Sequence, residues 1–401
     1  MNYLVFAVPA FFLFLYIEYQ IAKKQKRVEI FSYESSISNI SVGIAERLLN
    51  LFIAGSFYQL FVFLYDNYRL FTIPNHWWVW VLALLVTDFV WYWYHRLGHE
   101  VNLFWGAHIV HHQSEEFNFT VAARITTLQA LIRNFFWCAL PLLGFDPKIV
   151  LVILVVHGVY SFFTHTQVIG KLGWLEYIFI TPSLHGVHHA SDEKYLDKNY
   201  GDVFVFWDKL FGTFQKEEEK PTYGLTHPLK SYSFLWQHFH YYFELYQACL
   251  ETKGFQNKMR IIFGSPALLD QDIRPKIEKK FLPKKNPTFE FKYKAYLNIQ
   301  LLFAFILMTC ISFYFSKMNS IELFLTSAIT LITLINIGAL LEQRKWIYYL
   351  EYSRIYLILA FVFYEYQAPF ELYFLPLFLI FALEKIFRIG KWYNSYLLNL
   401  K

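Results

Sequence analysis

The feature that most constrains this chain is a series of apolar segments, each close to the length needed to cross a bilayer. A transmembrane helix needs about 20 predominantly apolar residues. Nine segments approach that length, at approximately 3–20, 48–66, 77–94, 128–145, 149–165, 297–316, 321–341, 346–366 and 370–387. Residues 166–296 hold no such run and are rich in His, Lys, Glu and Pro. The pattern predicts an all-α, polytopic transmembrane helical bundle of five spans, a polar insert and four more spans.

The composition excludes several functional classes. Hydrophobic residues make up 56% of the chain and charged residues 17%, whereas soluble proteins average roughly 25% charged. Disorder, nucleic-acid binding as a main task and a simple water-soluble enzyme are therefore excluded. The three cysteines, Cys138, Cys249 and Cys310, are far apart, so neither a disulfide framework nor a cysteine metal site is expected.

Basic residues indicate which side of the membrane each loop occupies. Lys23, Lys24, Lys26 and Arg27 follow the first apolar segment, and such runs are typical of the cytoplasmic side. Counting spans from there places residues 95–127 and the insert on the cytoplasmic side. We therefore expect a multi-pass protein of a bacterial inner membrane or the endoplasmic reticulum, with its polar insert facing the cytoplasm.

The chain has 14 histidines, and many of them occur in compact groups. The three groups are His95 with His99, then His108, His111 and His112, and finally His185, His188 and His189. Spacings of three and four place side chains on one helix face, where imidazoles can converge on a metal. The second and third groups share the form H-x-x-H-H, which suggests two equivalent ligand sets. His165 ends the fifth span on the same side and would add a ninth imidazole.

Nine imidazoles indicate two metals rather than one. Zinc is satisfied by four ligands, and imidazole also suits iron, copper and nickel. Two irons that activate O₂, with positions left open for it, are the most economical interpretation. Each ring would donate its other N–H to an acceptor beside it. The carboxylate candidates nearby are Glu100, Glu115, Asp192, Asp197 and Asp208.

The remaining histidines are interpreted differently. His157 lies in the middle of the fifth span, where a tenth ligand, a packing residue and a substrate contact all stay open. His227, His238 and His240 are expected at the surface, and His76 on the far side of the membrane.

Other polar residues near the predicted site have weaker interpretations. Arg124 and Arg133 could bind a lipid phosphate or extend to the interface, and the second is favoured. Asn199 and Asp208 could tie the insert to the metal ligands.

Longer sequence matches surround these histidines. They include His95–Asn102, the run from Trp105 to Glu115, Thr164–Thr166, Leu175–Tyr177, Thr181–Ser183, Asp197–Gly201, Trp207–Phe214 and Tyr223–Pro228. Together they resemble the fatty acid hydroxylase / sterol desaturase superfamily of integral membrane di-iron enzymes, from about residue 77 to 230. The resemblance implies metal ligation by His95, His99, His108, His111, His112, His165, His185, His188 and His189. It also implies a functional, catalytic role for Glu100.

Within that superfamily, the chain is most similar to members that depend on tetrahydrobiopterin and cleave ether lipids. This implies O₂-dependent hydroxylation of the carbon next to an ether oxygen, which gives an aldehyde and an alcohol. The implied cofactors are two iron ions and tetrahydrobiopterin. The partners are a lipid substrate, O₂ and an unidentified electron donor, with no nucleic acid. A sterol, fatty acid or isoprenoid hydroxylase or desaturase that uses the same di-iron site is the alternative.

These inferences predict four regions. Residues 1–76 would form N-terminal transmembrane helices, and 77–230 a di-iron hydroxylase core of three spans with a cytoplasmic, histidine-rich helical cap. Residues 231–296 would be cytoplasmic or interfacial, and 297–401 a transmembrane region of four helices. The last region contains no histidine, so any role in chemistry would be indirect.

Two other functional classes are weighed against the oxygenase. A membrane cytochrome would place single histidines in mid-span on facing helices, and only His157 lies so. A metal carrier would need polar residues along its spans, and only Asp88 is clearly charged at depth. Both patterns are weaker than the grouped histidines.

Overall fold

The structure is a computed structural model, and it describes residues 4–281, 291–344 and 346–396. In these residues the secondary structure is helical, and no strand is present. Two isolated bridges pair Phe179 with Phe204 and Ala190 with Tyr223. The predicted all-α class is confirmed.

Two compact units make up the fold. The first, called the histidine unit here, comprises Pro9–Lys230 and His238–Phe281. The second, the C-terminal unit, comprises Ser231–Gln237 and the described parts of 1–8 and 282–401. Every histidine of the three sequence groups lies in the histidine unit.

The helices are numbered in chain order over the described residues. The first ten are α1 Leu4–Lys24, α2 Tyr33–Tyr68, α3 Trp77–Glu100, α4 Asn102–His112, α5 Phe119–Ala122, α6 Thr127–Trp137, α7 Ala139–Leu143, α8 Pro147–Thr164, α9 Pro182–His188 and α10 Phe206–Phe211. The others are α11 Phe234–Glu251, α12 Phe255–Phe263, α13 Ile273–Phe281, α14 Phe291–Tyr314, α15 Ser320–Leu341, α16 Ile347–Glu365, α17 Leu375–Phe387 and α18 Ile389–Tyr396.

Four of these helices are long and apolar enough to cross a membrane, among the described residues. They are Tyr33–Tyr68, Pro147–Thr164, Tyr293–Tyr314 and Ser320–Leu341. The chain is accordingly a multi-pass membrane protein. These helices correspond to four of the nine predicted spans, and the other five predicted segments do not meet this criterion in the described residues. In addition, α2 begins at Tyr33 rather than at residue 48, and the segment 128–145 forms two short helices that meet at Cys138. In α16, Glu351 and Arg354 interrupt the apolar character.

Local sequence explains where the helices around the site begin and end. Asp146 caps α8 by accepting a hydrogen bond from the Lys148 N–H, and Pro147 occupies the first turn, where its missing N–H is not needed. Thr126 caps α6 in the same way, through the Gln129 N–H. The chain leaves α7 through Gly144, at φ +104°. A Cβ there would lie 2.1 Å from the Phe71 carbonyl oxygen, so glycine is required.

An apolar core holds the helices that deliver the histidines. It joins Phe57 and Phe61 of α2 to Val79 and Ala83 of α3, and it extends to Ile149, Val150 and Ile153 of α8. Because α3 and α8 pack through this core, their carboxyl ends are fixed relative to each other. His95 and His99 lie at the end of α3, and His165 directly follows α8.

Candidate metal centre

The nine histidines singled out from the sequence come together as two buried clusters. One cluster contains five residues, His95, His99, His108, His112 and His188. The other contains four, His111, His165, His185 and His189. Within each cluster, one ring nitrogen per residue lies within 4.8 Å of all the others. Each cluster is therefore a set of donor atoms that could hold a metal ion.

The two H-x-x-H-H motifs are each divided between the clusters. His108 and His112 of the second motif join the five-residue cluster, whereas His111 joins the four-residue cluster. In the third motif, His188 joins the first cluster while His185 and His189 join the second. The expectation of one ligand set per motif is therefore wrong. Consecutive residues of a helix point about 100° apart around its axis, so His111 and His112 can reach different clusters, as can His188 and His189.

Short helices and sharp turns bring the motifs together. The chain leaves α3 through Val101, which is extended, and enters α4 at once. Gly98 faces His108 across this turn, and a Cβ at Gly98 would lie 3.7 Å from the His108 ring. Thr181 caps α9 and Pro182 occupies its first turn, so α9 begins just before His185.

Backbone carbonyl groups orient four of the rings. The Nδ1 atoms of four histidines lie within hydrogen-bond distance of carbonyl oxygens. The pairs are His95 with Tyr200 at 2.8 Å, His111 with Arg124 at 3.3 Å, His165 with Ser161 at 2.7 Å and His188 with Lys198 at 2.9 Å. A carbonyl oxygen only accepts, so Nδ1 carries the proton in each ring and Nε2 keeps a lone pair. The predicted carboxylate acceptors are wrong for these four rings.

The Nε2 atoms then face one another at short distances. Nε2 of His165 lies 3.1 Å from Nε2 of His111, and both of these nitrogens carry lone pairs. Nε2 of His185 lies 3.0 Å from that of His165, and Nε2 of His95 lies 3.0 Å from that of His108. The facing lone pairs of His165 and His111 repel each other at this separation unless a cation lies between them. The donor set therefore fits metal ions.

Further ring nitrogens point into the clusters without a hydrogen bond. Within the described part of the chain, Nε2 of His99, His188 and His189 is buried and has no hydrogen-bond partner. A buried polar atom left unpaired costs about 1–3 kcal/mol. Three such atoms within the two clusters are explained if each is a metal ligand.

Burial keeps the imidazoles neutral. It lowers the pKa of His95 and of His165 to about 4. The Tyr200 carbonyl raises the pKa of His95 and the Ser161 carbonyl raises that of His165, but burial has the larger effect. Burial, together with the neighbouring histidines, also holds the pKa of His112 and His189 well below the usual value. Neutral imidazole is the form that ligates a metal, so the rings are ready to bind at neutral pH.

The loop 197–215 holds the carbonyl groups that orient His95 and His188. Asn199, at φ +53°, donates to the carbonyl oxygens of Leu184 at 2.9 Å and Gln215 at 2.8 Å. Asp208 accepts from the N–H groups of Tyr200 and Gly201. Asn199 and Asp208 thus tie the insert to the histidines, as the sequence suggested.

Arg124 is buried in a polar network and does not extend to the interface. Its guanidinium group donates to the Val110 carbonyl at 2.6 Å, the Asn39 side-chain oxygen at 2.9 Å and Gln113 Oε1 at 2.6 Å. Gln113 in turn contacts His240, which is fully buried. The expectations of a surface His240 and an interfacial Arg124 are both wrong, because each completes the polar network around α4.

Glu100 lies at the end of α3, outside both clusters. Its carboxylate is exposed and accepts a 2.9 Å hydrogen bond from Arg96 Nε, one helical turn earlier. Burial raises the pKa of the nearby Tyr200, and the charges of Asp197 and Glu100 add to that effect. The Tyr200 ring lies 5.3 Å, between centroids, from that of His99.

One further group was only partly recognised from the sequence. His157, left open above, lies between the carboxylates of Asp88 and Asp202. Asp88 was noticed as a charge at depth, but Asp202 was missed because a single acidic residue in a loop carries no pattern.

Comparison with known proteins agrees with this architecture. Residues 80–213 match the family model described as fatty acid hydroxylase. No solved structure matches the chain.

Curated relatives match over most of the chain. Human alkylglycerol monooxygenase is 35% identical over 86% of this chain and 78% of its own length. The enzyme of the same name from Danio rerio is 32% identical over 83% of this chain and 76% of its own length. A shorter match, 34% identical over 33% of this chain and 41% of the relative, is to ornithine lipid hydroxylase OlsE of Rhizobium tropici.

Several findings now converge. They are two buried histidine clusters, helices that can cross a membrane, a family model over the histidine motifs and relatives that are similar over most of their length. They agree with an oxidoreductase of the monooxygenase class that acts on lipid. The chain belongs to the fatty acid hydroxylase family, in the group that contains the alkylglycerol monooxygenases.

Proposed function

We propose that this protein hydroxylates an alkylglycerol ether lipid at the carbon next to the ether oxygen. The resulting hemiacetal separates into an aldehyde and an alcohol. The observation that carries the proposal is the pair of histidine clusters. Each H-x-x-H-H motif contributes histidines to both clusters, and each cluster offers nitrogen donors for one metal ion. The ether-lipid substrate rests on the names of relatives that match most of the chain.

We assign the nine clustered histidines as ligands of two iron ions, five around one and four around the other. Iron bound there would supply the activation of O₂ and the abstraction of hydrogen from an unactivated carbon. The protein supplies the geometry: carbonyl oxygens fix the ring tautomers, and burial keeps the rings neutral. Such orienting partners typically change metal affinity by about 10- to 100-fold when they are removed.

Glu100 is proposed to carry protons between solvent and the buried site. Its carboxylate is solvent-exposed, and its charge acts on Tyr200, which lies beside His99. Arg96 holds the carboxylate in one orientation through their 2.9 Å contact. Replacement by Gln should preserve the hydrogen bond to Arg96 but slow turnover, while the lipid KM stays unchanged.

The histidine clusters are proposed to face the cytoplasm. The support is the distribution of basic residues, with Lys23, Lys24 and Arg27 after the first apolar segment and Lys385 and Arg388 near the end of the chain. Such residues are enriched in cytoplasmic segments. Labelling of single introduced cysteines from either side of sealed vesicles tests this orientation.

Tetrahydrobiopterin is proposed as the organic cofactor of the reaction. The support is the sequence similarity to a pterin-dependent branch of the superfamily. Purified protein in lipid nanodiscs should convert an alkylglycerol to aldehyde and glycerol only when both O₂ and reduced pterin are present. Product formation that is indifferent to pterin would contradict this part of the proposal.

A related hydroxylase reaction is the second candidate. The partial match to an ornithine lipid hydroxylase favours it, since that name gives a different lipid substrate from the alkylglycerol named in the other matches. The assay therefore includes a fatty acid, a sterol and an ornithine lipid in parallel. His76→Ala provides the matched control, because His76 is exposed and outside both clusters. Hydroxylation of one of these lipids with no cleavage of alkylglycerol would replace the ether-lipid assignment.

A further inference from the structure

Three buried polar residues form a group next to the histidine clusters but outside them. Asp88 lies on α3, His157 on α8 and Asp202 in the loop that precedes α10. Their exposed fractions are 0%, 2% and 2%. Burial of two carboxylates among apolar helices is unfavourable unless charge and hydrogen bonds compensate, so the group needs a physical explanation.

Both nitrogens of the His157 ring face a carboxylate. Nε2 lies 3.0 Å from Oδ1 of Asp88, and Nδ1 contacts Oδ2 of Asp202. A neutral imidazole has one N–H and can donate to only one of them. An imidazolium ring presents an N–H and a positive charge to each carboxylate, so the two contacts become ion pairs that join α3, α8 and the loop through a single side chain.

The surroundings of Asp88 indicate a protonated imidazole between the two carboxylates rather than a third metal. Its oxygens already accept from the N–H groups of Val203 at 2.9 Å and Phe204 at 3.0 Å, and from Trp207 Nε1 at 3.0 Å. These three donors also offset the negative charge that remains when one imidazolium faces two carboxylates. Few lone pairs of Asp88 remain for a cation.

The same loop carries the group that orients His95. The Tyr200 carbonyl oxygen, two residues before Asp202, accepts the Nδ1–H of His95 at 2.8 Å. Asp208 holds the N–H groups of Tyr200 and Gly201 at 2.7 and 2.9 Å. Asp88 and His157 hold the following residues, 202–204, so the Tyr200 peptide is fixed from both sides.

We propose that Asp88, His157 and Asp202 form a charged clamp that positions His95 through the Tyr200 carbonyl group. The clamp fixes the loop against α3 and α8, and the loop then fixes the tautomer and orientation of the His95 ring in the five-histidine cluster. The three residues are positioning residues, not ligands. This inference rests on the proposed role of the clusters as iron ligands.

The test uses Asp202→Asn and His157→Gln in the full-length protein. Both variants should lose iron to a chelator about 10- to 100-fold faster than the wild type, the range typical of lost orienting partners. The Mössbauer spectrum should change for the iron in one site and stay the same for the other. The double variant should be no worse than the more affected single variant, because both changes open the same clamp.

Two further variants make the result interpretable. Glu342→Gln neutralises a buried carboxylate that accepts from Ser231, Tyr232 and Ser233 in the C-terminal unit, and it should leave iron retention unchanged. Trp207→Phe removes only one donor to Asp88, and it should accelerate iron loss more weakly than Asp202→Asn. Trp207→Phe tests the clamp if the charge-changing variants do not fold.

The outcomes separate the clamp from the function on which it rests. If wild-type protein retains two irons and folded Asp202→Asn or Trp207→Phe keeps wild-type chelator resistance and spectrum, the clamp is refuted and the di-iron assignment stands. If wild-type protein retains no iron under reducing conditions, the proposed function itself fails. An equal change in both iron signals would also refute the clamp, since it predicts an effect on the five-histidine cluster alone.

Discussion

At the scale of single residues, ring orientation is the property on which the site depends. Four histidines donate from Nδ1 to backbone carbonyl oxygens. Because a carbonyl group cannot change its protonation, this arrangement fixes the tautomer over a wide pH range. A carboxylate acceptor could itself take a proton, and it would also add a negative charge beside the metal.

Gly201 provides a residue-level test of the loop that carries one of these carbonyls. A Cβ at this position would lie 2.7 Å from the Phe204 carbonyl oxygen and 2.8 Å from Asp208 Oδ2. Gly201→Ala should therefore shift the loop and lower the free energy of unfolding by about 1–3 kcal/mol. Thermal unfolding of the purified protein measures the change.

The matched control for this substitution is Gly55→Ala. Gly55 lies within α2, and a Cβ there would meet nothing within 4 Å. Alanine favours a helix over glycine by about 1 kcal/mol, so this variant should be as stable as the wild type or more stable. Equal stability of the two alanine variants would contradict the close packing described for Gly201.

At the scale of helices, the sequence predicted the grouping of the histidines better than it predicted how they divide between clusters and which groups orient their rings. Spacings of three and four are local properties, so eight of the nine residues could be selected from spacing alone, and His165 from its place at the end of the fifth apolar span. The division of each H-x-x-H-H motif between clusters depends on how α4 and α9 face each other, which no local pattern encodes. The carbonyl acceptors were also missed, because backbone groups have no sequence signature.

The spans show the same division between local and non-local information. The apolar segments were recognised because their length and composition are local. The break at Cys138, between α6 and α7, was missed because apolar residues predominate on both sides of it in the run from 128 to 145. The buried position of His240 was missed because one of its two polar partners, Gln113, lies 127 residues away in the sequence.

Arg124 gives a prediction at the helix scale, since it joins α2 and α4. Its three donor nitrogens reach Asn39, Val110 and Gln113 in a fork. Lysine has one nitrogen and cannot reproduce this geometry. Arg124→Lys should therefore lower the free energy of unfolding by about 2 kcal/mol, measured by thermal or denaturant unfolding.

Arg133 supplies the comparison for that experiment. It is half-buried and lies over the Trp91 ring, 5.8 Å from the centroid, a contact that a lysine ammonium also makes. Arg133→Lys should change stability by less than about 1 kcal/mol. A larger loss from Arg133→Lys than from Arg124→Lys would contradict the assigned network.

At the scale of the whole molecule, the buried imidazoles make stability depend on pH. The pKa of His95 and of His165 falls from 6.5 to about 4 on folding. Below pH 6.5 the unfolded chain takes up protons that the folded chain does not, so stability is lost as the pH falls toward 4. Metal-free protein should therefore show a steadily lower melting temperature from pH 7 down to about 5.

Metal binding adds to this dependence. A ligand that binds only the folded state stabilises it, and protons compete with metal for the imidazole nitrogens. The iron-loaded protein should melt at a higher temperature than the metal-free protein at pH 7, and this difference should shrink on acidification. A melting temperature of the metal-free protein that is constant between pH 7 and about 5 would contradict the neutral, buried histidines.

The central claim is that the two clusters each hold one iron ion, and metal content tests it most directly. Purified wild-type protein should contain two irons per chain, one for each cluster. His188→Ala, in the five-histidine cluster, and His185→Ala, in the four-histidine cluster, should each lose mainly one iron, while His76→Ala keeps both. Zinc alone, or a single metal site that both cluster variants abolish together, would contradict the account.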